Sequence, residues 1–159
     1  MKAGSNLERM FESGNFAVTG EIGPPKSCNA EIVRHHAKML KGHCESYNLT
    51  DNQTAIVRLS SIASGKIILD EGLEPNIQIV CRDRNRIGIQ SDVLGAAALG
   101  IKNILALSGD HQKFGNHPTA KNVYDVDSIQ LINILDGMRK GYFANGEQMK
   151  DEPPKLYVG

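Results

Sequence analysis

Tryptophan is absent from these 159 residues, and phenylalanine and tyrosine together supply only 5%. A core without large rings has to be assembled from Ile, Leu, Val and Ala. Neither sign of charge is in excess, since 18 Lys and Arg stand against 18 Asp and Glu. That balance offers no basic stripe for nucleic acid and no cationic face for an acidic membrane surface. No apolar run approaches the roughly 20 residues that span a bilayer. The first residues, Met1 to Glu12, are polar and lack the apolar stretch of a secretory signal. Cysteine is scarce: Cys28, Cys44 and Cys81 are an odd set without CxxC spacing. They read as neither a disulfide framework nor a zinc site, and a reducing cytoplasm is the simpler setting. His35, His36 and His43 fall on or just after a predicted helix and read as solvent-facing. His111 and His117 show no ligand spacing for a metal, and no GxGxxG fingerprint is present.

What the chain does contain is a recurrence. Four times, about every thirty residues, a short apolar run ends in a knot of polar residues and a helical pattern follows. Phe16–Gly20 leads into Glu21, Tyr47–Leu49 into Thr50-Asp51-Asn52-Gln53, Ile77–Val80 into Cys81-Arg82-Asp83-Arg84-Asn85, and Asn103–Leu107 into Ser108-Gly109-Asp110-His111. The pattern predicts strands over 16–22, 46–50, 76–81, 102–107 and 156–159. It predicts a short polar helix over 5–13, then helices over 30–42 behind Asn29, 55–72, 86–99, and one behind Asp127. The fourth of these is expected to share a face through Ile129, Ile132, Leu135 and Met138. Gly95-Ala96-Ala97-Ala98 is expected to pack closely on a sheet. The loop over 108–124 is long enough for a lid or a cofactor wall.

Alternating strands and helices imply an α/β fold with a parallel sheet. Five strands make an open sheet of one domain, but they cannot close a (β/α)8 TIM barrel, which takes roughly 200 residues or more. The chain reads as one domain, 1–159, carrying about the first five strands and four helices of such a barrel, the front part of a longer protein. In a parallel barrel the carboxyl ends of all strands open on one face. Glu21, Thr50, Asp51, Asp83 and Asp110 are therefore expected to converge on one pocket.

The same strand ends carry a family resemblance. Glu21–Pro25 (Glu-x-x-Pro-Pro), Asn48-Leu49-Thr50-Asp51-Asn52, Cys81–Arg86 with Gln90 and Leu94–Ile101, and Leu107-Ser108-Gly109-Asp110 occur in an order and spacing that resemble the N-terminal part of methylenetetrahydrofolate reductases. The wording of 81–131 is similar to the branch found in folate-using anaerobes. The resemblance implies a TIM barrel with FAD at the carboxyl ends of its strands. It implies hydride transfer through the flavin to 5,10-methylenetetrahydrofolate, giving 5-methyltetrahydrofolate for one-carbon and methionine metabolism. Glu21 aligns with the general acid and Asp110 with the carboxylate near pterin and flavin. Thr50 aligns with a residue against the flavin ring, where it also meets the substrate. Asp51, Gln53, Gln78, Ser108, Gly109 and Asp125 fall at flavin-contact positions. Two departures stand out: Ser108 replaces an Arg, and Gln78 replaces a His. The electron donor, NAD(P)H or another reductant acting directly or through a partner subunit, is not encoded in these motifs. A homo-oligomer or hetero-complex is expected.

Each residue also has a plainer reading. An acid that opens the methylene bridge must be protonated, which desolvation between rings favours; Glu21 is otherwise an ordinary strand-end carboxylate. Asp110 stabilises a cationic iminium or makes an Asx turn. Asp51 and Asn52 meet the flavin or cap the next helix. Arg82, Arg84 and Arg86 clamp a pyrophosphate or pair with Asp83 and nearby carboxylates. Three other functions compete with the reductase: a flavin-free pterin methyltransferase barrel, a catalytically inactive fragment or scaffold, and, more remotely, a divalent-metal aldolase.

Overall fold

Every α-helix among the described residues begins where a short polar side chain accepts an amide proton that the first turn leaves free. In the computed structural model, which describes residues 2–159, Ser5 caps α1 (Asn6–Glu12), Asn29 caps α2 (Ala30–Leu40) and Ser60 caps α3 (Ser61–Asp70). Asn85 caps α4 (Arg86–Ala98), and Asp127 caps α5 (Ser128–Arg139) in a reciprocal capping box with Gln130. Between them lie β1 (Thr19–Ile22), β2 (Ser46–Leu49), β3 (Pro75–Val80), β4 (Asn103–Leu107) and β5 (Tyr157–Val158). The strands form one parallel sheet in the order β1-β2-β3-β4-β5.

Register shows where the core sits. Ile22, Leu49, Ile77, Ile104 and Val158 form a single row across all five strands. Ile22 and Leu49 pack with Val33 and Ala37 of α2 and Ile68 of α3. Ile77 and Ile104 pack with Val93 of α4 and Leu131, Leu135 and Met138 of α5. Side chains in one row point to one face, so α2 to α5 all cover the same side of the sheet. A doubly wound sheet reverses its strand order and carries helices on both sides. This sheet does neither, and its topology is that of the first five strands of a TIM barrel.

The opposite face is polar in its lower row. Glu21, Asn48, Asn76 and Asn103 are register partners, and Asn76 Nδ2 donates to Asn48 Oδ1 at 2.7 Å. One row higher, Gln78 pairs with Leu105.

Four expectations change. Residues 55–60 are not helical: a 3-10 turn at Gln53–Ala55 is followed by a segment tied to the β1 loop, with Leu59 N donating to Pro25 O at 2.9 Å. The helix starts only after Ser60, whose hydroxyl accepts from Ala63 N. β1 begins at Thr19, leaving Phe16 exposed. In α5 the buried face is Leu131, Leu135 and Met138, while Ile129 is 70% exposed. Close helix–sheet approach occurs at Gly65 of α3, not at Gly95, whose missing side chain would meet nothing within 4 Å.

Candidate functional site

Strand ends place the polar knots, and ion pairs hold them there. Asp51 follows β2 and is buried; its Oδ2 accepts from Val80 N at 3.0 Å and from Arg84 Nη1 at 2.6 Å, and its Oδ1 accepts from Arg84 Nη2 at 3.2 Å. Arg84 also reaches Asp92 at 2.8 Å. Arg86 grips Asp125 with two 2.7 Å bonds, which holds that carboxyl well below the ordinary range. Arg82 forks onto Asp83 at 2.8 and 2.7 Å. Burial alone would raise the Asp83 carboxyl, but the bond and charge of Arg82 outweigh it and leave it below its usual value. All three arginines are thus committed to carboxylates. The residues that the sequence left as either phosphate clamps or ion-pair partners are ion-pair partners here.

A cavity of about 330 Å³ opens among these loops. Asp51, Gln53, Gln78, Ser108, Gly109 and Asp110 line it, together with Asn52, Val80, Arg82 and Leu107. Six site residues chosen from sequence therefore meet. The other three do not line it. Thr50 lies just below, buried, with a hydroxyl that has no partner among the described residues. Asp125 stands before α5, held by Arg86. Glu21 is exposed on the open sheet face, in register with Asn48 and so two residues short of the Thr50 level. The Gly23-Pro24-Pro25 turn does not bury it. Asp83 lines a neighbouring cavity of about 210 Å³ on the other side of Arg82, so convergence on a single pocket is only partial.

The loop after β4 closes this end of the sheet. Asp110 Oδ2 accepts from Thr54 N at 3.1 Å, across two loops rather than in an Asx turn, and its other oxygen stays free. Val57 N donates to Asn116 Oδ1 at 3.3 Å. Gly115 lies so close that a Cβ there would stand 1.8 Å from Ala55 O. Beneath them the backbone is left-handed at three non-glycine residues, Asn52, Thr54 and Ala55, with φ of 46, 56 and 56°. A β-branched Thr in that region is strained and must be held by its surroundings. Neither Asp51 nor Asn52 caps α3; Asn52 Oδ1 instead accepts from Arg58 N at 3.0 Å. Gly109 has φ +89°, and a Cβ there would press on Val80 at 3.1 Å. The Ser108 hydroxyl accepts from Ser128 N at 3.2 Å, tying the cavity wall to α5.

The donor set suits a flat heterocycle with a polar edge. Gln78 presents a half-buried side-chain amide with no bond of its own and Asp110 a free carboxylate oxygen, while the unpartnered Thr50 hydroxyl lies buried beneath the cavity. The cavity is at the small end of ligand sites. Other concavities are larger, including one of about 670 Å³ between α5 and residues 152–155, but it lies away from the strand ends. Among the described residues no group of three His, Cys, Asp or Glu is placed to hold a metal ion, and no helix is long and apolar enough to cross a membrane.

Sequence reasoning did not anticipate Arg82 as the junction of three loops, nor the left-handed turn at 52–55, which carries no glycine to announce it. A search among curated proteins returned no match. A sequence model described as Methylenetetrahydrofolate reductase matches residues 6–146. That span includes all four strand-end motifs and the first four strands of a sheet whose order is that of a TIM barrel. On this evidence the chain belongs to the methylenetetrahydrofolate reductase family.

Proposed function

We propose that this chain is the flavin- and folate-facing front of an enzyme that reduces 5,10-methylenetetrahydrofolate to 5-methyltetrahydrofolate. The observation that carries the reading is the family match over residues 6–146. The cavity at the ends of β2, β3 and β4 supports it, because its size and donors suit the polar edge of a flavin ring. Bound FAD would supply the two-electron hydride chemistry that no side chain offers. Gln78 and Gln53 would meet the ring's polar edge, with Ser108 and Gly109 as the wall, Asp110 between ring and pterin, and Thr50 supporting the cavity floor from below. Asp51 would contribute only through its backbone, since Arg84 and Val80 N occupy its carboxylate. Asp125 would act at second hand, through Arg86 and the start of α4.

Glu21 is the acid in this reading. It delivers the proton that opens the methylene bridge and leaves an iminium able to accept hydride. The side chain is exposed, so the water exclusion that this role needs comes from the bound rings, not from the turn. Asp110 stabilises the cationic iminium through its free oxygen. The electron donor would be NAD(P)H or another reductant, acting directly or through a partner subunit.

FAD titrated into the purified chain, followed by quenching of flavin fluorescence, tests the reading. Saturable quenching, with 5-methyltetrahydrofolate shifting the flavin spectrum, is the expected result. Folate binding without any flavin binding would favour a pterin methyltransferase instead. Binding of neither would point to a structural role.

A further inference from the structure

Arg82 is 3% exposed, yet it bonds to the loops after β2, β3 and β4. Its Nη1 donates to Asp110 O at 2.9 Å and its Nη2 to Asn52 O at 3.2 Å. Its Nε and Nη2 also fork onto Asp83, whose Oδ2 accepts a 3.4 Å bond from Asn52 Nδ2. The Arg82 backbone donates to Ser108 O at 3.2 Å and accepts from Val123 N at 2.9 Å. One buried guanidinium therefore joins the loops after β2, β3 and β4, and the wall between two cavities includes it. Asp83 neutralises its charge, so it is poorly suited to hold a phosphate. What it fixes instead is the distance between the Asn52 and Asp110 carbonyls. Those residues flank Gln53 and Thr54, and Thr54 N holds the Asp110 carboxylate.

We infer that Arg82 is a positioning residue of the site: it sets the aperture between Gln53 and Asp110 through the two carbonyls and the carboxylate that its guanidinium holds. This rests on the reading of the cavity as a flavin and folate site. The planar fork is essential to the argument. A lysine ammonium keeps the charge but has three donors on one atom, and it cannot reach Asp83 and two separated carbonyls together. Thr54 N also links the loops after β2 and β4 through the Asp110 carboxylate, but among the described residues no other side chain bonds both carbonyls. The strained residues Asn52, Thr54 and Ala55 then depend on Arg82 from one side and on Gly115 and Asn116 from the other.

The test compares Arg82→Lys and Arg82→Met with the wild type by amide hydrogen exchange, thermal unfolding and FAD titration. In the lysine variant, exchange at Thr54 and Val57 is expected to quicken about tenfold or more, because the fork's bonds to the two carbonyls are lost. Exchange at Ile68 and Val93 in the core should stay as in the wild type. The FAD dissociation constant should rise by about the same factor. Arg82→Met, which keeps the apolar stem, should show at least as large an effect at the same two amides. Unchanged exchange at Thr54 in both variants would overturn the proposal. So would exchange that quickens equally in loops and core, or failure of both variants to fold, since Arg82 would then serve the fold as a whole. If the wild type takes up no FAD, the flavin reading fails by itself, and the exchange comparison still decides whether Arg82 holds the loops.

Discussion

At Asp51 a carboxylate sits out of water with three donors around it, two from Arg84 and one from Val80 N. Breaking one partner of a buried ion pair leaves the other charge uncompensated, and that costs about 3–5 kcal/mol. Arg84 keeps Asp92 as a second partner, so Asp51→Asn is expected at the low end, near about 3 kcal/mol. Urea denaturation at pH 7 measures it; a loss below about 1 kcal/mol would mean that water reaches the pair. Cys81 offers a second check at the same scale. Burial, aided by the charge of Asp127, pushes its thiol up to about 11. The nucleophile is the thiolate, so at pH 8 a thiol reagent should modify exposed Cys28 quickly and half-buried Cys44 more slowly. Cys81 should react only when the protein unfolds, and mass spectrometry of the labelled peptides distinguishes the three.

Two mid-helix glycines separate what an element wants alone from what packing demands. In α3, a Cβ on Gly65 would stand 2.7 Å from Ile77 Cγ2 and 3.1 Å from Ile101 Cδ1. In α4, a Cβ on Gly95 would meet nothing within 4 Å. Alanine gains up to about 1 kcal/mol over glycine in a helix, while overpacking a core costs about 1–3 kcal/mol. Gly95→Ala should therefore raise stability by up to about 1 kcal/mol, and Gly65→Ala should lower it by about 1–2 kcal/mol. Thermal unfolding of both variants checks the sign, and a stabilised Gly65→Ala would show that α3 can move off the sheet. The small stretch at 95–98 does pack, through Ala96, which is fully buried in the core, but not through Gly95; the tight contact at Gly65 was not legible because it depends on Ile77 from another strand. The same distinction governs the rest. Asn29 and Asp127 were legible as caps because capping is local, and Asp51 and Asp110 were legible because the end of a parallel strand fixes their position; Gln53, Gln78, Ser108 and Gly109 were legible only through the family resemblance. The start of α3 was misread because Ile56 and Leu59 keep helical spacing while the backbone turns back to Pro25. Arg82 lies within a legible motif, but its task depends on loops 30 residues apart meeting, which no local pattern records.

Across the whole molecule the carboxylates set an acid limit. Glu8 is raised by burial but lowered further by amide bonds from Lys2, Ala3 and Gly4. Asp83, Asp125 and Asp136 are also held below their ordinary values, Asp136 at about 2 through its bonds to Lys140 and Arg139. A carboxyl with a lower pKa when folded than when unfolded adds stability at pH above the unfolded value, about 4. That stability is lost as pH falls through the folded value, when the native state finally binds the proton. The protein should therefore hold its stability at neutral pH and lose it progressively below about pH 4, down to pH 2 and under. Salt separates the contributors. The bridges of Asp125 and Asp136 face solvent, and at about 1 M salt the Debye length is only about 3 Å. The amide bonds around Glu8 are shielded by burial, as is the Arg82 end of its fork onto the exposed Asp83 carboxylate, so part of the acid loss should persist in high salt. Unfolding midpoints measured from pH 7 to pH 2 at low and high salt decide the matter. A flat profile would show that these pairs do not hold the native state together in solution. A decline abolished completely by salt would place the whole acid response on the surface bridges and none of it on the loops around the cavity.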